Sequence, residues 1–427
     1  MRILIENGFL ITGDQNDTCQ QGCVQVDGEV IVYAGPAAHA PAFDAERTID
    51  ANGGIVAPGF VNTHTHIPMN LFRGFADDMR LMDWLEKAIW PAEENLDEDA
   101  VYWGSMLGMA ELIQGGVTCM NDMYFFTEAI ARAAEKSGMR AIIGTAVVDA
   151  GEGGGGRLEK ALALFDYVKD MPRVEAAIAP HAEYSVTSDM FDRIRDAAIK
   201  TDSRIHVHVS ETQGEHEDCI KRNGKTAIAL LGDLGVLDVP TMAAHCVWVS
   251  EADMDIMAEK NVGVMSCPQS NVKIGSGVAQ IVKMMDKGIT VSCATDGAAS
   301  NNNLSMMEEM TLLAFLQKGI NHDPELIPAK TAVRTATING AKVLGMAQKI
   351  GSLEAGKQAD LIVLDTTGLR YYPKTDLLNH FVYSGSDADV CLTMIGGQIL
   401  YENGSFTAID ASEIKAKATE YSAKLLG

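Results

Sequence analysis

Two histidines one residue apart, His64 and His66 in VNTHTHIPMN, are the first residues of the chain whose type and spacing suit metal chemistry. Side chains alternate between the two faces of a strand, so both imidazoles would leave the backbone on one side. An isolated pair of this kind is as readily two polar residues on an exposed edge, so the metal reading needs partners. Other apolar runs end in such partners. His208 closes HVHV, with Glu211 three residues later; His245 closes TMAAH; and Asp296 follows ITVSCAT. His64, His66 and His208 together with the Asp296 carboxylate form a suitable ligand set for Zn2+, with room for a water. His206 shares a strand face with His208 but lies two residues deeper, about 6–7 Å along the strand. It reads as a packed interior residue, not a ligand.

These groups work together only if the fold brings their strand ends to one place. Eight short apolar runs, from IVAPGFV through GVTCMND, RAIIGTAVV, VEAAIAP, RIHVHVS, TMAAHC and NVGVMSCP to ITVSCATD, alternate with helical segments such as EDAVYWGSMLGMAELIQGG and TEAIARAAEKSG. That alternation predicts an α/β fold, a (β/α)8 TIM-like barrel over residues 56–350, with its chemistry at the C-terminal strand ends. Residues 1–55 and 351–427 carry short strands broken by turns, as in CVQVDGEVIVYAG and CLTMIGGQILYENG. They are expected to pair into one small β-sandwich domain built from both termini. The glycine-rich GEGGGGR, Gly151 to Arg157, follows the third barrel strand and is expected to be a loop at the barrel mouth. It lacks the Lys-Ser/Thr of a phosphate-binding P-loop.

Composition narrows the partners. Lys and Arg number 34 against 58 Asp and Glu, a net charge of −24, which opposes binding to nucleic acid or an anionic membrane. No apolar run reaches the ~18 residues of a membrane span, and MRILIENGFLITGD lacks the features of a secretory signal. The eight cysteines include no CxxC pair and suit a reducing compartment. A cytoplasmic protein, assembled as a homo-oligomer and acting on a small molecule, is expected.

The strings PGFVNTHTH, HVSET, AHC and TDGAASNN, in this order, together with GSLEAGKQADLIVLD, resemble the amidohydrolase superfamily over nearly the whole chain. HTHIPMNLFRGFADD, WPAEENL and DGAASNNNLSMMEEM are most similar to the 5-methylthioadenosine/S-adenosylhomocysteine deaminases. The resemblance implies zinc-dependent hydrolysis of the 6-amino group of methylthioadenosine, S-adenosylhomocysteine, adenosine or 5′-deoxyadenosine. Many members of the superfamily hold two metals around a carboxylated lysine on the fourth strand. Here VEAAIAPHAEYS ends that strand at His181, which favours one ion per chain, Zn2+ with Fe2+ or Mn2+ as alternatives. A guanine or s-triazine aminohydrolase is the nearest rival reading. A non-catalytic scaffold is a more distant one, disfavoured because every expected ligand is present.

Within that reading Glu211, His245 and Asp296 are the catalytic residues. Glu211 would accept the proton of the attacking water and deliver it to the ring nitrogen; His245 would orient the nucleophile, and Asp296 would both bind metal and accept a hydrogen bond. Glu211 could equally be a solvated carboxylate at a helix start, and His245 a buried histidine bonded to backbone. The resemblance assigns Glu93 to the ribose hydroxyls, and Arg157 and His181, with Glu211, to the rest of the nucleoside. Relatives that bind the homocysteine tail carry a second arginine twelve residues before Arg157, where this chain has Thr145. Trp84 and Trp90 read as pocket wall or core, and Met69 and Met123 as candidates to line an apolar thioether site.

Overall fold

The computed structural model describes residues 1–149 and 156–427. The N-terminal region forms β1 (Arg2–Ile11), β2 (Cys19–Asp27), β3 (Val30–Gly35), β4 (Arg47–Asp50) and β5 (Ile55–Pro58). Eight further strands follow: β6 (Phe60–Thr65), β7 (Val117–Tyr124), β8 (Arg140–Val147), β9 (Val174–Pro180), β10 (Ile205–Val209), β11 (Thr241–His245), β12 (Gly263–Ser266) and β13 (Val291–Cys293). The chain then adds β14 (Leu361–Leu364), β15 (Val390–Ile395), β16 (Gln398–Glu402) and β17 (Ser405–Phe406).

β6 to β13 pair in chain order as one eight-stranded sheet, with helices between them. Parallel strands covered on both faces need apolar runs without alternation; β7 and β8 are buried along their whole lengths. The helix Thr127–Ser137 buries Ala129, Ile130, Ala133 and Ala134, and ends at Gly138 with φ +80°, a backbone shape glycine adopts at no steric cost. β13 meets β6 through a seam of polar groups. Thr63 Oγ1 and Ser292 Oγ lie 2.8 Å apart, Asn62 Nδ2 donates to Thr295 Oγ1 at 2.8 Å, and the Asp296 N–H donates to His64 O at 3.0 Å. This seam brings Asp296 beside the histidine pair, although Asp296 itself lies beyond the end of β13.

β1–β5 and β14–β17 form a second, nine-stranded sheet. It wraps a separate apolar core that includes Ile3, Val24, Ile31, Val56, Leu361 and Met394. The run IVAPGFV, expected as a single barrel strand, serves both sheets: β5 pairs with β1 and β14, and only Phe60 onward enters the barrel. Gly59 makes the switch, since a Cβ there would sit 2.1 Å from Thr118 Cγ2. Both halves of the run are buried, so hydrophobicity alone could not divide it. Arg140, at the start of β8, joins the two bodies with bonds of 2.8 and 2.9 Å to the Asp360 carboxylate. The C-terminal region also carries a helix, Ala411–Leu426, which buries Ile414, Ala418 and Leu425. No helix among the described residues is long and apolar enough to cross a membrane. Of the glycine-rich stretch, Gly151 to Gly155 lie outside the described residues, and Arg157 opens the helix Arg157–Val168.

Candidate metal centre and substrate cavity

His64, on β6, is fully buried, and His66 follows the strand directly. Their rings stand edge to face, with centroids 4.8 Å apart. The His66 Nδ1–H donates to Met123 O at 2.6 Å, and the His208 Nδ1–H donates to His181 O at 2.7 Å. A carbonyl only accepts, so both rings are fixed with the Nε2 lone pair facing inward. His66 Nε2 and His208 Nε2 lie 3.2 Å apart; Asp296 Oδ1 is 3.4 Å from His64 Nε2 and 3.5 Å from His66 Nε2. Donors at 2.0–2.1 Å in a tetrahedral zinc site are separated by about 3.3 Å. His64 Nε2 is buried without a hydrogen-bond partner. A buried imidazole nitrogen without a hydrogen-bond partner, 3.4 Å from Asp296 Oδ1, fits a divalent cation, and the ligand atoms of His64, His66 and His208 lie within 4.8 Å of one another.

The charge states match that use. Burial pushes His64 down to about 4, against the attraction of Asp296, and holds His208 well below the usual imidazole range. Burial opposes ionisation of Asp296, but the neighbouring His64, His66 and His245 imidazoles outweigh it and hold the carboxyl well below the usual range. Ser270 Oγ and Ser300 Oγ each donate to Asp296 Oδ2 at 2.7 Å, leaving Oδ1 to the histidines.

Glu211 follows β10 and is buried at the edge of this centre, its Oε2 3.9 Å from His245 Nε2. Its backbone N–H donates to Glu215 Oε2 at 2.8 Å, and Glu215 also completes a capping box with Thr212 at the start of the helix Gln213–Asn223. Burial, then the Asp296 charge, push Glu211 up to about 8. The His245 Nδ1–H donates to Asn271 Oδ1 at 2.9 Å, which leaves Nε2 an acceptor inside the site. His245 and Asp296 hold φ of +68° and +62°. Left-handed backbone is costly for residues other than glycine and concentrates at functional positions. These conformations turn the side chains off their strands toward the centre.

Above it opens a cavity of about 930 Å³, within the range of small-molecule sites. Trp84, Trp90, Met69 and Met123 line its wall, as expected, joined by Leu85 and Ile89. Glu93 lies in the wall and accepts a 2.6 Å hydrogen bond from Tyr124 Oη on one oxygen; burial raises its carboxyl, against that bond. The Arg157 guanidinium sits over the Phe125 ring at 4.8 Å. His181 follows β9 with Nδ1 2.9 Å from Ser185 Oγ, and burial lowers it to about 3. Thr145 Oγ1 pairs with Thr127 Oγ1 at 2.8 Å. Glu93, Arg157, His181, His208, Glu211, His245 and Asp296 all border this one cavity.

Sequence reasoning missed the groups that hold these side chains. Ser300 was detectable, four residues after Asp296 in the same turn. Ser270, Asn271 and Tyr124 reach their partners across strands, and no spacing announces them. His206, read as packed interior, is fully buried with its ring centroid 6.5 Å from that of His208. It also touches His64, with His206 Nε2 2.7 Å from His64 Nδ1.

Residues 55–400 match the model of the amidohydrolase family. A 5-methylthioadenosine/S-adenosylhomocysteine deaminase of Moorella thermoacetica is 40% identical over 94% of this chain and 94% of its own length. A protein of the same description from Thermodesulfovibrio yellowstonii is 42% identical over 84% of this chain and 83% of its own. Among solved structures, an adenosine deaminase from Xanthomonas campestris with bound zinc superposes with a TM-score of 0.96 at 34% identity, covering 99% of this chain and 98% of that one.

Proposed function

This chain belongs to the amidohydrolase family, and from that premise we propose that it hydrolytically deaminates 5′-modified adenosines, converting the 6-amino group to a carbonyl and releasing ammonia. His64, His66, His208 and Asp296 hold one divalent ion per chain, zinc foremost. Such an ion supplies a Lewis acid that lowers the pKa of water to near neutrality. The observation that carries the proposal is the convergence of the His64, His66, His208 and Asp296 donor atoms beside Glu211, at the floor of a cavity whose wall holds Glu93.

The protein groups divide the rest of the chemistry. Glu211 takes the proton of the attacking water, passes it to the purine nitrogen beside the reacting carbon, and assists departure of the amine as ammonia. Burial raises the pKa of its carboxyl, which makes the carboxylate a stronger acceptor for the water's proton. His245, with Nδ1 committed to Asn271, presents Nε2 to orient the water. Glu93, one oxygen engaged by Tyr124, keeps the other for the ribose diol. Arg157 and His181 face the remainder of the nucleoside. A cytoplasmic location, in keeping with eight cysteines that are all free, and a homo-oligomeric assembly belong to the same proposal.

A spectrophotometric comparison of methylthioadenosine, adenosine, guanine and an s-triazine tests the reading. Turnover of the two nucleosides with little or none of guanine or the triazine is expected. Preference for either base-only substrate would replace this reading with that of another aminohydrolase and would leave Glu93 without its role.

A further inference from the structure

Asp296 leaves Oδ1 to the histidines because its other oxygen is held twice. Ser270 Oγ and Ser300 Oγ both donate to Oδ2 at 2.7 Å. Ser270 belongs to the helix Pro268–Lys273, beyond β12, and Ser300 to the helical turn Ala298–Asn301, beyond β13. Two hydroxyls from separate segments meet on one oxygen only while the segments keep a fixed spacing. Among the described residues, the direct bonds between these segments are long or exposed. Gln269 Nε2 donates to Asn301 O at 3.4 Å, and Lys273 Nζ donates to Asn302 Oδ1 at 2.7 Å at the solvent-facing end. Neither fixes a buried spacing well.

Glu309 joins the two from behind. It lies in the first turn of the helix Met306–Asn321 and is fully buried. Its Oε2 accepts from the Gln269 N–H at 3.0 Å, one residue before Ser270. Its Oε1 accepts from Asn301 Nδ2 at 2.6 Å, one residue after Ser300. Both donors are fixed in that sense. A backbone N–H can only donate, and Asn301 Nδ2 also donates to Thr295 O at 2.7 Å, which sets the orientation of its amide. Position 309 therefore needs an acceptor at each end, which a carboxyl offers and an amide does not. Burial raises the Glu309 carboxyl well above the usual range, against these two bonds; with or without its proton, each oxygen keeps a lone pair for its donor. Among the described residues no Lys or Arg pairs with it, and a carboxyl buried for packing alone is costly. We propose that Glu309 is a positioning residue for Asp296: it sets the spacing at which Ser270 and Ser300 grip Oδ2, and so turns Oδ1 toward the histidines.

This role rests on the metal reading of the centre and on the proposed deamination, and the experiment separates them. Zinc content, melting temperature and steady-state kinetics with methylthioadenosine are measured for the wild-type chain and for Glu309→Gln. The same pair is then compared in a chain that carries Ser270→Ala and Ser300→Ala together, with kcat expressed per bound zinc throughout. The amide sets an NH2 group against one of the two donors and frees one segment. Its kcat per zinc should fall about 10–100-fold, as for other outer supports of metal ligands, with KM changed by less than about threefold. Without the two hydroxyls Glu309 has nothing to position, so the same substitution should then lower kcat per zinc by less than about threefold, the non-additivity of residues that act as one unit. A carboxyl that only stabilised the fold would shift the melting temperature and leave kcat per zinc unchanged. Wild-type kcat per zinc in Glu309→Gln, a loss confined to KM, or an equal loss with and without the hydroxyls overturns the inference while leaving the metal reading intact. A wild-type chain without zinc-dependent turnover overturns both. Glu309→Asp, one methylene too short to meet both donors, is read in the same way and decides the matter where Glu309→Gln does not fold.

Discussion

The floor and the wall of the cavity are built by different means. At the floor, donor atoms leave strand ends and are held by groups with a fixed direction: the carbonyls of Met123 and His181, and the hydroxyls of Ser270 and Ser300. In the wall, Glu93 belongs to a four-residue helical segment and Arg157 to the first turn of a helix, and their supports are the side chains of Tyr124 and Phe125. The floor fixes the direction of its donor atoms for one reaction. The wall offers apolar area with a few polar groups, which suits a substrate whose distal part can vary.

Changes at the floor should therefore abolish chemistry, and changes in the wall should tune selection. The largest effect is expected for His208→Ala, which removes one donor of four. Zinc content and turnover should fall together, the latter by about 10³-fold or more, because several kcal/mol of metal assistance is lost. Metal analysis and a deamination assay on one preparation check this. Glu211→Gln keeps shape without the proton shuttle, so zinc should be retained while kcat drops ~10²–10⁴-fold; an effect confined to KM would remove Glu211 from the chemistry.

Wall changes should be smaller and depend on the substrate. Glu93→Gln weakens charge-assisted bonds to the ribose hydroxyls, about 1.5–3 kcal/mol. It should appear in kcat/KM for nucleosides and be absent for a substrate lacking the diol. The smallest effect concerns the 5′ group. A homocysteine tail ends in a carboxylate best gripped by arginine; Arg157 is stacked on Phe125, and Thr145 is committed to Thr127. Methylthioadenosine or adenosine should therefore be used at least as well as S-adenosylhomocysteine. Arg157→Ala should cost the latter on the order of 1–3 kcal/mol and the former less. A tenfold preference of the wild type for S-adenosylhomocysteine would show that another cation replaces the missing arginine.

The same contrast explains what the sequence reveals. The donors of the floor are legible because strand ends are marked by short apolar runs and the barrel gathers those ends at one mouth. HTH, HVHVSET and TDGAASNN each hold a donor and its local geometry in a few residues. The supports are not legible: Asn271 reaches His245, and Ser270 reaches Asp296, each across 26 residues of chain. Only the closed barrel creates those neighbours. The division of IVAPGFV between two sheets was hidden for a related reason, because either sheet would bury it. In the wall, Glu93 and Arg157 were reached through family resemblance, since neither carries a spacing that specifies its role.

Stepwise addition of zinc to metal-free protein, followed by methylthioadenosine deamination after each step, tests the central claim most directly. Activity should be near background without metal, rise in proportion to added zinc, and reach its plateau at one equivalent per chain. Full activity in the metal-free protein, or a plateau only at two equivalents, would contradict a single-ion centre held by His64, His66, His208 and Asp296.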